Sequence, residues 1–390
     1  MKTKTLTLLL GLALIIELVP TSLYSANPAE IVITRDAELQ RLIPISITGF
    51  TGEALSVLKF DLELVGFTNA SPSEAQFLIE GSNDGNLQGK VIDRINKTPI
   101  LAKSYSGGTI RAQAHAFADE IVNRLRGEKG IFQTKIAFRV RNDNASEIYV
   151  SDFDGHNIVQ VTHDNSIALT PAWFPGKRIL YYTSYIKGNP DIYRHDLTTG
   201  ERTIIARYSG LNTCPAVSPD GKKLAMILSK AGSPDLYVSD INGQNLVRLT
   251  TTRAAESTPS WSPDSKYICF SSQMSGASAI YTIPASGGQP KRVSFGISNA
   301  TEPNWSPDGK YIIFTANMRD FQICITPATG GTAEVLVQGE SPCWAPNSRT
   351  VVFVRRSGGR KYISLLDVPT KKVKNIVQMS GDCSQPSWAK

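Results

Sequence analysis

From residue 135 onward the apolar positions fall into short runs bounded by turn residues, as in Lys310-Tyr311-Ile312-Ile313-Phe314 after Ser306-Pro307-Asp308-Gly309. Ser at the first, Pro at the second and Gly at the fourth position suit a type I turn, because the proline ring presets φ. The pattern therefore predicts a strand on each side of a reversal. Similar runs stand at residues 266–270 and 349–353, and shorter strands are centred on Ile192, Leu236, Ile280, Ile323 and Ile363. Asn242-Gly243 and Asp154-Gly155 are hairpin dipeptides leading to strands that end Leu249-Thr250 and Val161-Thr162.

One phrase recurs through this region. Pro171-Ala172-Trp173, Pro215-Ala216-Val217, Pro259-Ser260-Trp261, Pro303-Asn304-Trp305, Pro342-Cys343-Trp344 and Pro386-Ser387-Trp388 start 44, 44, 44, 39 and 44 residues apart. All five tryptophans share one slot, with Val217 in the sixth. A unit of about four strands and this period fits a propeller blade. The first unit, Lys135-Ile136-Ala137-Phe138 with Glu147-Ile148-Tyr149, lacks an opening strand, and Pro386-Ser387-Trp388 is an opening strand lacking the rest. Joining them leaves no exposed sheet edge and makes six blades. The tryptophans are read as wedges between blades, each ring burying roughly 150–250 Å². Asp191 and Asp235 recur in separate blades, which favours turn and strand-end hydrogen bonding over metal binding.

Residues 27–128 do not repeat. Thr51 is placed as cap of a helix with Leu55, Leu58, Leu62 and Val65 in one stripe, and Thr109 as cap of a second with Phe117, Ile121, Val122 and Leu125, stopped by Gly127. Phe77-Leu78-Ile79, Val91-Ile92 and Ile100-Leu101 read as strands, and His115 as a hydrogen-bonded packing residue. The fold class is α+β multidomain: a small N-terminal α/β domain (27–128) before an all-β six-bladed β-propeller (129–390).

Residues 1–26 read as an export signal, with Lys2 and Lys4 before an apolar stretch at 6–16 that Glu17 and Pro20 interrupt. Cleavage after Ser25 and after Ala26 are both open, and the alternative is an uncleaved anchor. The formal charge of +7 becomes about +6 once Lys2, Lys4 and Glu17 are removed. No basic run is interleaved with aromatics as a nucleic-acid groove requires. Arg349, Arg355, Arg356, Arg360, Lys361, Lys371, Lys372 and Lys374 concentrate in the last repeat and are read as solvated strand faces. Five cysteines are an odd number for an oxidising compartment, so no disulfide framework is implied; Cys269 and Cys324 fall inside strands, and pairing among Cys214, Cys343 and Cys383 stays open. The sequence has no Gly-x-Ser-x-Gly elbow, and none of His115, His156, His163 and His195 has zinc-motif spacing. A catalytic site, a metal and a cofactor are therefore not expected; the alternative is an exported propeller hydrolase or peptidase-associated propeller.

The repeated Pro-x-Trp-Ser-Pro-Asp-Gly-Lys and Asp-Ile-Tyr phrases, the entry Glu30-Ile31-Val32-Ile33 and a junction containing Gly127, Gly130, Phe132 and Thr134-Lys135-Ile136-Ala137 together resemble the TolB family over nearly the whole mature length. The stretch between Ala37 and Ser106 departs from the family pattern and looks shortened. The resemblance implies a periplasmic, monomeric scaffold of the Tol-Pal system. It would bind the Pal lipoprotein through the propeller and TolA through Glu30, Ile31, Val32 and Ile33, supporting outer-membrane integrity and constriction at division. Loops entering the Pro-x-Trp strands vary on a repeated frame, which is where specificity can be carried. Glu256, Ser257, Thr258, Thr301, Glu302, Glu340 and Ser341 are thus the expected partner contacts, their acids suited to a basic surface.

Overall fold

The computed structural model describes residues 40–389. The export signal and the segment Glu30 to Ile33 lie outside the described residues. Among those described are two helices: α1 (Gly52–Leu64) and α2 (Ile110–Arg126). They pack on a five-stranded sheet of β1 (Ile43–Thr48), β2 (Phe67–Asn69), β3 (Phe77–Ser82), β4 (Gln88–Asp93) and β5 (Pro99–Ser104), in the order β2-β1-β3-β4-β5. The three predicted strands are present, while β1 and β2 were not foreseen.

Thr109 caps α2, its Oγ1 accepting from the Ala112 N–H at 3.2 Å, and Gly127 ends the helix at φ 66°. That left-handed turn is one a side chain resists. Thr51 precedes α1 as expected but makes no side-chain cap; instead its backbone N–H donates to Asn83 Oδ1 at 2.9 Å. The buried side of α1 carries Ala54, Leu58 and Leu62, with Leu55 at its margin and Val65 beyond the last turn.

Besides a short parallel pairing of Ser294–Phe295 with Gly331–Thr332, the rest of the chain forms six four-stranded antiparallel sheets. Their inner strands are Ala168–Trp173, Asn212–Val217, Glu256–Trp261, Ala300–Trp305, Glu340–Trp344 and Asp382–Trp388, each touching the next in a closed circuit. The last strand pairs with Lys135–Asn142, from Asp382 opposite Arg141 to Trp388 opposite Ile136, so the C-terminal strand completes the first blade. The ring is closed as the repeat required.

The slot residues hold neighbouring blades together. Trp344 and Trp388 are each 1% exposed, and the Trp261 and Trp173 indoles donate to Ala216 O (2.8 Å) and Ser387 O (3.1 Å) of the preceding blade. In three of the six phrases the middle residue adds a side-chain contact. Ser260 Oγ, Asn304 Oδ1 and Cys343 Sγ accept the backbone N–H of the next blade's Trp305, Trp344 and Trp388 at 3.1, 2.9 and 3.4 Å. The Ser-Pro-Asp-Gly turns form as predicted, with Gly309 N–H on Ser306 O at 2.9 Å and Ser306 Oγ on Asp308 Oδ1 at 2.7 Å. Asp235 Oδ2 accepts from Arg248 at 2.6 Å at a strand start, whereas Asp191 lies 3.4 Å from Arg207.

The α/β layer and the propeller share one core, in which Phe117, Phe132, Phe153, Val352 and Trp388 belong to the same buried cluster. Polar groups cross the same junction. Arg349, 2% exposed, binds Asp367 at 2.6 Å and Glu128 at 3.1 Å, while Lys374 reaches Phe60 O and Glu63, both at 3.1 Å. The basic concentration of the last repeat is therefore divided. These two residues are structural, contrary to the reading as solvated faces, and Arg355, Arg356 and Arg360 are exposed. His115 lies between Asp61 Oδ2 of α1 (2.7 Å) and Asp154 Oδ2 of the first blade (3.4 Å), with Arg111 also on Asp154.

Candidate functional site

At one end of the ring all six inner strands begin, and each bends before its repeated proline. Thr170, Cys214, Thr258, Glu302, Ser341 and Gln385 have φ between 47° and 54°, a left-handed conformation uncommon for non-glycine residues. The ladder slips at the same place: pairing skips between Thr213 and Ala216, Ser257 and Ser260, and Thr301 and Asn304. Such bulges re-aim side chains. Here all six bent residues line one cavity of about 210 Å³ at the centre of the ring, walled by the repeated prolines and by Trp173, Trp261 and Trp388.

Hydrogen bonds fix this circle. Glu302, its one carboxylate, accepts from Thr315 Oγ1 (2.7 Å), Ser341 N–H (2.8 Å) and Ser341 Oγ (2.9 Å), tying blade five to blade six. Gln385 Oε1 accepts the Thr170 N–H at 3.0 Å across the closure, and Thr258 Oγ1 lies 3.3 Å from Ser271 Oγ. Burial pushes the Cys214 thiol up, away from thiolate. The wall thus offers hydroxyls, an amide, one carboxylate and proline rings around a concave floor, which suits holding a side chain or loop of a partner.

Of the expected contacts, Thr258, Glu302 and Ser341 meet at this cavity, and Ser257 lies behind it on Ser271 at 2.7 Å. Thr301 sits beside them in the inner strand, opposite Thr315. Glu340 points outward to Lys361 at 2.7 Å and Arg356 at 3.3 Å. Glu256 is not a surface acid: it is 1% exposed and accepts from Thr252 Oγ1 (2.7 Å), Thr250 Oγ1 (2.9 Å) and Ser272 Oγ (3.1 Å). Burial pushes its carboxyl up, and the three hydroxyl donors oppose that shift. Thr170 and Cys214 were missed, although reading the repeated phrase one residue further toward the N-terminus would have found them.

Of the remaining histidines, His156 meets Arg111 at 2.7 Å and His163 is exposed. Asp164, following His163, is held by both Arg202 nitrogens at 2.8 and 2.6 Å, and Tyr182 Oη stands 3.5 Å from His195 Nδ1.

A family model described as the TolB beta propeller domain matches residues 122–390. Among curated relatives, the Tol-Pal system protein TolB of Desulfosudis oleivorans is 36% identical over 162 residues, spanning 40% of this chain and 37% of that one. Its namesake in Francisella tularensis subsp. mediasiatica is 35% identical over 159 residues, 38% of this chain and 36% of its own. These alignments therefore span little more than a third of either relative. A crystal structure of TolB from Acinetobacter baumannii superposes with a TM-score of 0.83 at 26% identity, over 90% of this chain and 97% of that one. The structure of a putative TolB from Agrobacterium tumefaciens shares the fold at a TM-score of 0.52 and 19% identity, over 64% and 91% of the two chains.

Proposed function

The chain belongs to the TolB β-propeller family, and from that premise we propose that it is a non-enzymatic, periplasmic protein-binding scaffold of the Tol-Pal system. In this reading the cavity end of the propeller receives the Pal lipoprotein, and the N-terminal segment Glu30 to Ile33 receives TolA. The chain thereby links the outer membrane to the inner one and supports envelope integrity and constriction at division. The observation that carries it is the circle of six bent pre-proline residues around a concave floor. The bend turns six residues of varied chemistry toward the cavity, and this half-buried wall offers a partner both polar and apolar contacts. The superposition that includes the α/β layer supports the same reading, and the expected division at 128/129 gives each partner its own domain.

Capture of purified Pal by the full mature chain tests the first half. Binding is expected, and bulky substitution of the cavity wall, Ser341→Trp, is expected to abolish it, whereas Ser341→Ala, which loses the same Oγ bond to Glu302 without filling the cavity, is expected to retain it. Capture that survives the Trp substitution would place Pal elsewhere. Deleting residues 27–33 is expected to weaken TolA binding with little change in melting, and a peptidase and esterase screen is expected to show no turnover.

A further inference from the structure

Resting on that assignment of the cavity end as the partner face, we infer that this end is a basic docking surface for an acidic polypeptide segment laid across the cavity. Strand register places the relevant loops there: Ser184 pairs with Ala168, Leu228 with Asn212, Ala316 with Ala300 and Val354 with Glu340, so the turns after those strands flank the starts of the inner strands. Exposed cations stand on these turns and on the loops entering the inner strands, namely Arg141, Lys187, Arg207, Lys230, Arg253 and Arg319. Blade six adds a hairpin between Thr350–Ser357 and Arg360–Asp367, whose tip carries exposed Arg355, Arg356 and Arg360.

Acids at the same end are withdrawn. Glu256 is buried among hydroxyls, Glu302 is spent on the circle, Arg202 chelates Asp164, and Lys361 and Arg356 cover Glu340. Asp143, Asp320 and Asp382 are the exposed carboxylates there among the described residues. At the opposite end turn acids stand beside cations, Asp220 with Lys222, Asp264 with Lys266 and Asp308 with Lys310, although Lys177 and Arg178 are exposed there without a turn acid. The cavity end thus presents these nine exposed cations against three exposed carboxylates, which raises local concentration and encounter rate for an acidic partner. It also surrounds a recess rather than a plane: a flat anionic membrane would touch only the rim, whereas a polypeptide can track the cations and seat one apolar side chain on the proline floor.

The test uses the full mature chain and a fluorescein-labelled peptide of alternating Glu and Ser with one central Leu, read by anisotropy. Its Lys-for-Glu counterpart and phosphatidylglycerol/phosphatidylcholine vesicles serve as the other arms. The Glu peptide is expected to bind, to lose roughly ten-fold or more in affinity as salt shortens the screening length from about 14 to 6 Å, and to lose a similar factor in R319E/R355E/R360E. The neutral R319Q/R355Q/R360Q is expected to fall between, and K222E/K266E/K310E at the far end to match wild type. Equal losses at the two ends, no binding of the Glu peptide, or cation-dependent vesicle binding without peptide binding would each overturn the inference. If Pal is captured equally by wild type and R319E/R355E/R360E, this inference falls while the partner-face assignment stands. Cation-dependent peptide binding with no capture of Pal would do the reverse.

Discussion

His115 joins α2 to a helix and a blade that approach it from different parts of the chain. Burial opposes its charge, but hydrogen bonds to Asp154 and Asp61 and the fields of both carboxylates raise it to about 9. Burial lifts Asp61 to about 7 despite His115, and Asp154 is held well below the carboxylate range by His115 and Arg111 against its own burial. Arg111, His156 and Asp119 are the other charged or titratable groups facing this cluster, with Glu53 beyond Arg111. A histidine raised in the fold stabilises fully below its unfolded value of about 6.5 and loses that contribution as pH rises through about 9. A carboxyl raised in the fold has the same sign, its contribution fading from about 3.8 to about 7. Stability to denaturant is therefore expected to fall between pH 6.5 and 9. His115→Gln should flatten that fall and lower stability at pH 6, the second effect by about 1–3 kcal/mol because the buried, ionised Asp154 loses the imidazolium beside it. A wild-type slope preserved in the variant would assign the pH dependence to other groups.

Glu256 makes a contrasting residue-scale case. Its carboxylate satisfies three hydroxyls in a site closed to water. Glu256→Lys is thus expected to damage the fold rather than a binding surface, and Glu256→Ala to cost about 1–3 kcal/mol through unsatisfied donors. Chemical denaturation of both variants measures this, and Glu256→Ala with wild-type stability would show that water enters the pocket.

At the scale of elements, blades are tied by a small polar residue in the phrase that also supplies the Trp. Asn304→Ala should leave the buried Trp344 N–H without its 2.9 Å acceptor, at a cost of about 1–3 kcal/mol. Asn304→Asp keeps an acceptor and should cost less; denaturant midpoints of the two variants test that order. The periodicity made the blades legible because turns and apolar runs are local: Ser306-Pro307-Asp308-Gly309 dictates its reversal whatever surrounds it. Closure was legible for a related reason, since two incomplete units had complementary parts. The orientation of acids was not. Glu256 looked like a loop acid because Thr250, Thr252 and Ser272 come to it by strand pairing and loop return, which a one-dimensional pattern does not encode. Likewise, nothing in the spacing of Arg349 and Arg355 distinguishes a junction ion pair from an exposed hairpin tip. The expectation that Pal and TolA are the partners came from family resemblance, not from the pattern.

For the whole molecule, closure falls on the last strand, at a position where chains commonly fray. Asp382–Trp388 pairs with Lys135–Asn142, the Trp388 indole donates to Thr134 Oγ1 at 2.7 Å, and its backbone N–H donates to Cys343 Sγ at 3.4 Å. Gln385 and Ser387 also accept from Thr170 and Trp173 in blade two. One strand therefore contacts blades one, two and six, and its terminal Trp lies in the core shared with the α/β layer. Trp388→Ala alone should cost roughly 3–5 kcal/mol, against the ~5–15 kcal/mol that a domain commonly has. A chain stopped after Asp382 loses the Trp and bares the edge of Lys135–Asn142, so it should melt lower and aggregate. Losing Gln385 and Pro386 also opens the cavity wall, so Pal capture should fall even though the loops entering the other five inner strands are intact. Trp388→Phe separates the two effects: it keeps the strand and much of the ring volume, and should retain capture with a smaller loss in melting temperature. Wild-type melting and wild-type capture in the truncated chain would mean that the ring does not depend on its closing strand.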